Sequence, residues 1–289
     1  MTIALFLLAS TLASTATAPV ETAAIERTVF VTVTDNQGAA VADLTPADFV
    51  VKEGGKEREI LKVEPATARV RLALAVEEVM VGDTSVRIAL FEFMKRMANA
   101  AEIALVTVGL RTTTVVDYTT NLESLVGGIN KLSLNPAKDS SIAEGVLELS
   151  NRFAAAKPLR PAMVVVALSG GQAGVDPRLV LEKLRDSGAT MFAATLAGAS
   201  AAPSLGSMND HSGREQVLGD GPKQSGGRRI DVTATAAMPK ALQQIAADLL
   251  AQYAITYTLP DGTKPDRRLN VGVKRRGVSL RAPSAIPER

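Results

Sequence analysis

The chain has 289 residues, of which 46% are hydrophobic, enough for one large α/β domain and a smaller module. Its 32 basic and 30 acidic residues leave a net charge of +2, which excludes a strong electrostatic field for nucleic acid or acidic membranes. The lack of Cys and the single His exclude zinc clusters, thiol catalysis and redox pairs.

The amino terminus carries the apolar run Ile3–Ala9, followed by small residues through Ala18. This pattern predicts an export signal, with Ala16-Thr17-Ala18 as the cleavage sequence and cuts after Ala16 or Ala24 as alternatives. We therefore interpret residues 1–24 as a signal peptide or N-terminal apolar segment of an exported protein, periplasmic or secreted. An uncleaved anchor and a buried core segment are the alternatives. No other window is apolar enough for a membrane span.

Residues 25–66 are predicted to form a small N-terminal β module. Thr28–Thr34 alternates as a strand, and a second extended segment runs through Phe49–Val51 into a Gly-Gly turn. Glu57–Val63 then returns as its partner. About forty residues of this kind cannot bury a core alone, so further strands are expected to cover them.

Residues 67–252 alternate between buried strands and amphipathic helices, which predicts a doubly wound, mostly parallel sheet with helices on both faces. Within this range, residues 197–229 lack hydrophobic periodicity and are predicted to be a long flexible loop. The predicted strands are Val70–Val76, Ile103–Val108, Thr112–Asp117 at an edge, Met163–Leu168 and Thr190–Leu196; the predicted helices are Ser85–Ala100, Leu122–Leu132, Ser141–Ala155, Asp176–Gly188 and Pro239–Ala251.

Residues 253–289 read as C-terminal strands. Tyr253–Leu259 alternates, a turn follows, and Leu269–Lys274 and Gly277–Arg281 continue the pattern. Because neither end of the chain can bury a face alone, we predict that both sets of strands combine into one small β-sandwich beside the α/β domain. The tail's basic residues alternate with strand positions, which favours a solvated face over nucleic-acid binding.

Three stretches resemble the exported bacterial VWFA-related proteins first grouped from acidobacteria. Val33–Lys56 looks like their opening β module, and Ile245–Tyr257 looks like their terminal helix and strand. The middle of the chain resembles a von Willebrand factor A (vWA) domain. The resemblance implies a vWA-like fold, used for adhesion or protein interaction.

The resemblance also implies a site above the carboxyl ends of the strands, where three loops supply oxygen ligands to a divalent metal. Glu77 matches the first-loop Asp, but Val79 and Val81 stand where Ser ligands belong. Ser140 matches the second-loop Thr, with Ser141 as a substitute. Gly170 matches the third-loop Asp. One Glu and one Ser remain of five expected ligands, which indicates a degenerate metal site.

We therefore expect neither a metal nor another cofactor. Mg²⁺ requires near-octahedral oxygen coordination and loses its water reluctantly, so this ligand set competes poorly with solvent. The alternative is Mg or Ca in a rebuilt site that uses Glu77, Glu78, Asp139 and Ser140. Otherwise Glu77 and Glu78 are interpreted as a solvated pair; if they are buried, a cationic partner or a raised pKa is expected.

The sequence predicts a protein that is not an enzyme. Ser169–Gly174 resembles a phosphate loop but lacks its Lys, and His211 has no nucleophile elbow nearby. The predicted function is a non-catalytic, exported interaction module with a protein partner and no nucleic acid. A metal-dependent adhesion domain and an enzyme of unrecognised type are the alternatives. The predicted interaction rim is Glu77, Glu78, Val79, Ser140, Ser141, Ser169, Gly170 and Gly171.

Overall fold

The structure is a computed structural model that describes residues 25–78, 84–132, 141–169, 174–197, 208–260 and 262–287, without the side chains of 208–211. The described strands are β1 (Ile25–Asp35), β2 (Phe49–Glu53), β3 (Lys56–Arg58), β4 (Ile60–Pro65), β5 (Val70–Glu77), β6 (Ala101–Val108), β7 (Thr112–Thr119), β8 (Pro161–Ala167), β9 (Thr190–Leu196), β10 (Arg229–Val232), β11 (Gln252–Leu259), β12 (Leu269–Val273) and β13 (Val278–Arg281). The described helices are α1 (Thr84–Met97), α2 (Leu122–Lys131), α3 (Ile142–Ala156), α4 (Pro177–Ser187), α5 (Met208–Ser225) and α6 (Met238–Leu250).

A six-stranded sheet with the order β10-β9-β8-β5-β6-β7 forms the centre of the molecule. Its strands are parallel except β7, which pairs antiparallel with β6 at the edge. The order runs outward in both directions from β5, as in a doubly wound sheet. The predicted fold class is therefore confirmed, including the edge position of β7.

Helices cover both faces of this sheet, which explains the continuous apolar strands. In β5, Leu72 and Leu74 pack under α1, α2 and α6, whereas Ala73 and Ala75 face α3, α4 and α5. A strand buried on both faces needs apolar residues at every position. None of the described helices is long and apolar enough to cross a bilayer.

The strands from the two ends of the chain form one β-sandwich, as predicted. One sheet has the order β13-β1-β11-β4 and the other has β12-β2-β3, so each contains strands from both ends. Their facing side chains share a core that includes Val31, Phe49, Ile255 and Tyr257. The β module is therefore completed by the C-terminal strands, as its size requires.

Arg160 ties the sandwich to the central domain. Its guanidinium donates to the carbonyl oxygens of Ala66, Ala68 and Leu249 at 2.9, 2.9 and 2.5 Å and to the Gln252 side chain. Burial lowers the pKa of Arg160 to about 10. These hydrogen bonds join the segment before β5 to the segment after α6, the two places where the chain passes between the sandwich and the central domain.

The loop prediction over residues 197–229 is wrong for most of its length. The structure places α5 at Met208–Ser225, followed by the first residue of β10. Glycines and the internal Pro222 conceal the helix because they carry little helical propensity or periodicity. Burial of Val217 and Leu218 against α4 and the sheet overrides that propensity. Residues 198–207 lie outside the described residues.

Gly227 joins α5 to β10 and offers a stability test of this corrected region. An added Cβ would overlap the Met191 carbonyl oxygen, a backbone atom that cannot swing away. We expect Gly227→Ala to lower the free energy of unfolding by about 1–3 kcal/mol, measured by urea denaturation. Gly127→Ala is the control, because its Cβ meets nothing within 4 Å in α2; it should be neutral or stabilising by up to about 1 kcal/mol. Equal effects would contradict the placement of Gly227.

Candidate functional site

The candidate site lies where the parallel strands β5, β6 and β8 end at one edge of the central sheet. Glu77 is the last residue of β5 and is 0% exposed. Ser169 follows β8 and is half-buried. Ligand sites in open α/β sheets lie at this edge, beyond the carboxyl ends of the strands.

The Glu77 carboxylate is held by donors from two other elements. Its Oε2 accepts from the backbone N–H groups of Leu168 and Ser169, at 2.6 and 2.8 Å. Its Oε1 accepts from Ser169 Oγ at 2.7 Å. Arg214 in α5 donates from Nη2 to Oε2 at 3.4 Å. A carboxylate has about four acceptor positions, so these contacts engage both oxygens and most of their capacity.

The interpretation of Glu77 and Glu78 as a solvated pair is wrong for Glu77. Alternation along the strand places Glu77 on the same face as Ala73 and Ala75, which α3, α4 and α5 cover, while Glu78 is half-buried beside Gly109. A buried carboxylate was expected to need a cationic partner, and Arg214 is that partner. Both side chains are inaccessible, with 4% of the Arg214 side chain and 0% of the Glu77 side chain exposed.

Arg214 extends this ion pair into a chain of alternating charges. Its Nη1 donates to Glu215 at 3.2 Å, and Arg229 donates to Glu215 and Asp231 at 2.7 Å each. Burial alone would raise the pKa of Asp231, but hydrogen bonds from Thr195 and Arg229 hold it below its usual value. The Arg214 guanidinium is thus held between the carboxylates of Glu77 and Glu215.

Ser141 supports the neighbouring loop structurally. Its Oγ caps α3 by accepting from the Glu144 N–H at 3.3 Å, and its own N–H donates to the Gly109 carbonyl at 3.3 Å. Gly174 packs against this cap, because a Cβ there would meet Ser141 Oγ and the Glu144 carboxylate. The cap joins the ends of β6 and α3.

The remaining predicted site residues lie outside the described residues, and their roles stay predictions. The structure brings together Glu77, Ser169 and, at the same edge, Glu78 and Ser141. The predicted residues outside the described ranges are Val79, Val81, Asp139, Ser140, Gly170 and Gly171.

The described part of this site does not fit a divalent cation. Glu77 already accepts from a guanidinium, whose positive charge would repel a metal at the same oxygens. Within the described ranges, no three acidic or His side chains converge as a metal-ligand group. A cation here would have to displace Arg214 first.

Sequence reasoning missed Arg214 because it lies 137 residues from Glu77, inside the segment predicted to be a loop. The only signal was indirect: a Glu at the end of an apolar strand needs a cation if it is buried. That argument predicts the type of partner and not its position.

The structure is similar to proximal thread matrix protein 1 from the mussel byssus, with 12% identity and a TM-score of 0.49 over 64% of this chain and 48% of that one. It is also similar to a von Willebrand factor type A protein from Catenulispora acidiphila, with 11% identity and a TM-score of 0.48 over 90% and 74% of the two chains. The vWF domain of the type V pili tip protein Mfa5 from Porphyromonas gingivalis matches at 11% identity and 0.46, over 64% and 96%.

This chain spans about half the length of the mussel protein that it resembles. No family model matches the chain, and no curated protein matches it. Identities this low indicate no function for this chain. The doubly wound arrangement expected from the sequence is given by the strand order of the central sheet itself.

The Glu77–Arg214 pair can be tested by a double-mutant cycle with Glu77→Gln and Arg214→Met. Removing one member of a buried pair leaves an uncompensated charge, so each single substitution should destabilise the fold. We expect a coupling free energy of at least about 1 kcal/mol in urea denaturation, unchanged by about 1 M sodium chloride.

The control cycle uses Lys62→Met and Glu64→Gln, an ion pair of 2.7 Å that is exposed on both sides. Its coupling should be small and should vanish in salt. If the Glu77–Arg214 coupling were equally small and salt-sensitive, the buried pair would not exist in solution.

Proposed function

We propose that this protein is a non-catalytic, exported protein-interaction module whose vWA-like domain works without a metal ion. The observation that carries the proposal is the Arg214 guanidinium seated on Glu77 at 3.4 Å, with both side chains buried. Arg214 thus supplies, from within the chain, the positive charge that a metal ion would otherwise bring to the Glu77 carboxylate.

An arginine suits this position because its guanidinium stays protonated at every physiological pH and donates in a fixed planar fork. Nη2 donates to Glu77 and so joins the end of β5 to α5, while Nη1 donates to Glu215 within α5 and so orients the guanidinium. Charge compensation is therefore independent of cation concentration. The valines at 79 and 81 supply no side-chain oxygen for a competing ion.

An interaction role is supported by the rim itself. Leu110, directly after β6, is 70% exposed, the largest exposed fraction among the large exposed hydrophobic residues of the described chain. The preceding residue, Gly109, packs against the Glu78 side chain, and its carbonyl accepts from the Ser141 N–H at 3.3 Å. In the proposed interface, Leu110 is the apolar side chain that a partner would bury. Export is proposed from the apolar N-terminal segment alone.

Metal independence predicts the response to divalent cations. We expect the melting temperature of the wild-type protein to change by less than about 1 °C with saturating Mg²⁺, Mn²⁺ or Ca²⁺. A ligand at a hundred times its Kd would add about 2.7 kcal/mol and raise the melting temperature by several degrees. Such a rise with any of the three ions would overturn the proposal.

The interaction role predicts the behaviour of Leu110→Asp in affinity capture from an extracytoplasmic fraction. Proteins captured by the wild type should remain bound in EDTA and be lost with Leu110→Asp. Leu61→Asp on β4 is the control, since Leu61 is also exposed, at 44%, but belongs to the β-sandwich and not to the loops at the carboxyl edge of the central sheet. Release of the partners by EDTA would show metal dependence, and an unchanged partner set would remove the rim from the interface.

A further inference from the structure

A cavity of about 570 Å³ lies where the β-sandwich meets the central domain. Leu159 and Thr190, which stand at the amino-terminal ends of β8 and β9, line it. It is therefore at the end of the sheet opposite Glu77 and Arg214. Its volume falls within the range of about 300–1,000 Å³ typical of binding sites, and such sites favour the junctions between domains.

One wall of the cavity is the edge of strand β1. The consecutive residues Ile25–Phe30 all line it, although strand side chains alternate between two faces. A cavity that touches every residue of a strand runs along its backbone edge. Six residues of strand extend about 20 Å, so the cavity is an elongated groove.

This edge of β1 has no strand beside it within the described residues. On one side, Ile25–Thr32 pairs with β11 along its whole length. On the other side, β13 pairs only with Thr32–Asp35. The N–H and C=O groups of alternate residues along 25–30, those that do not bond to β11, therefore face the groove, in the position where another strand would continue the sheet.

The opposite wall cannot complete the sheet itself. It contains Pro283 and Pro287, whose ring nitrogens carry no hydrogen to donate. The N–H groups of Ser284 and Ile286 donate away from β1, to the carbonyl oxygens of Gln224 and Arg267. The Pro287 carbonyl accepts from Arg27 Nη2 at 2.7 Å, so the hydrogen bond recorded between this wall and β1 comes from a side chain and not from the β1 backbone.

The lining favours an apolar ligand. Val29, Phe30 and Ile286 line the groove, and Ile25 and Leu159 add large apolar side chains that are 51% and 58% exposed.

The lining charges do not favour an anion. Three charged residues line the groove: Glu26, Arg27 and Lys264. Arg27 is already paired with the buried Glu53 at 2.9 Å, which leaves Glu26 and Lys264, of opposite sign, without an ion pair in the described part of the chain. Opposite charges give no net attraction for a phosphate or another anionic ligand.

We propose that this groove accepts an extended, apolar segment of a partner protein, which adds a strand to β1. The free backbone groups of β1 can hydrogen-bond to another polypeptide strand, and the apolar lining can pack against apolar residues at alternate positions of that strand. The prolines of the opposite wall cannot donate to β1 in its place. The inference rests on the proposed interaction function and names a second contact surface, remote from the rim.

The test uses a blocked, fluorescently labelled hexapeptide of alternating valine and threonine, with the full chain in EDTA. We expect saturable binding by anisotropy, and hydrogen–deuterium exchange that slows at amides of residues 25–31. Leu159→Asp should weaken binding at least about tenfold, whereas Leu179→Asp, an exposed leucine outside the groove, should leave it unchanged.

Two N-methylated peptides distinguish strand pairing from nonspecific hydrophobic binding. Methyl groups on the valine nitrogens block one backbone edge, and methyl groups on the threonine nitrogens block the other. Strand addition requires one form to bind at least about tenfold more weakly and the other to bind like the parent.

Three results would overturn the proposed strand addition: no binding by the parent peptide, equal binding by all three peptides, or exchange protection away from β1. The first would include an edge already covered by residues 1–24 or by another copy. Because EDTA is present throughout, none of these results bears on metal independence at the rim. Stabilisation by a cation, conversely, would refute the rim proposal and leave the groove intact.

Discussion

A buried carboxylate at the end of β5 is the constraint around which one edge of the central sheet is arranged. An uncompensated buried charge costs several kcal/mol, so Glu77 needs donors and a cation. The backbone after β8 supplies the donors, and Arg214 supplies the cation. The interaction thereby ties together three segments that are distant in sequence.

This requirement accounts for the position of α5. The helix has little intrinsic tendency to form, with glycines and Pro222 in its length, yet it places Arg214 beside Glu77 and Glu215 beside Arg229. Burial of Val217 and Leu218 against the sheet supports the same position. Packing and charge compensation therefore stabilise α5, although the helical propensity of its residues is low. The Arg214 guanidinium is therefore a buried structural contact of the fold.

Prediction from sequence succeeded where burial leaves a periodic pattern. The apolar run of β8 and the Asp176-Pro177 start of α4 are both found, since strand burial and capping are local effects. The sandwich was predictable because its strands could not bury a face alone. The helix α5 was not, since its apolar residues are few. Arg214 was also out of reach, because pairing across 137 residues leaves no local signal.

The two proposals concern surfaces at opposite ends of the central sheet: a rim that works without a metal ion and a groove beside β1. The central claim concerns the rim, and paramagnetic broadening by Mn²⁺ tests it most directly. The N–H groups of Leu168 and Ser169 bond to the Glu77 carboxylate, so an ion bound there would broaden their NMR signals first. The account predicts that these two signals stay as sharp as those of other buried amides throughout a Mn²⁺ titration. Selective broadening of the two signals at low Mn²⁺ concentration would contradict it.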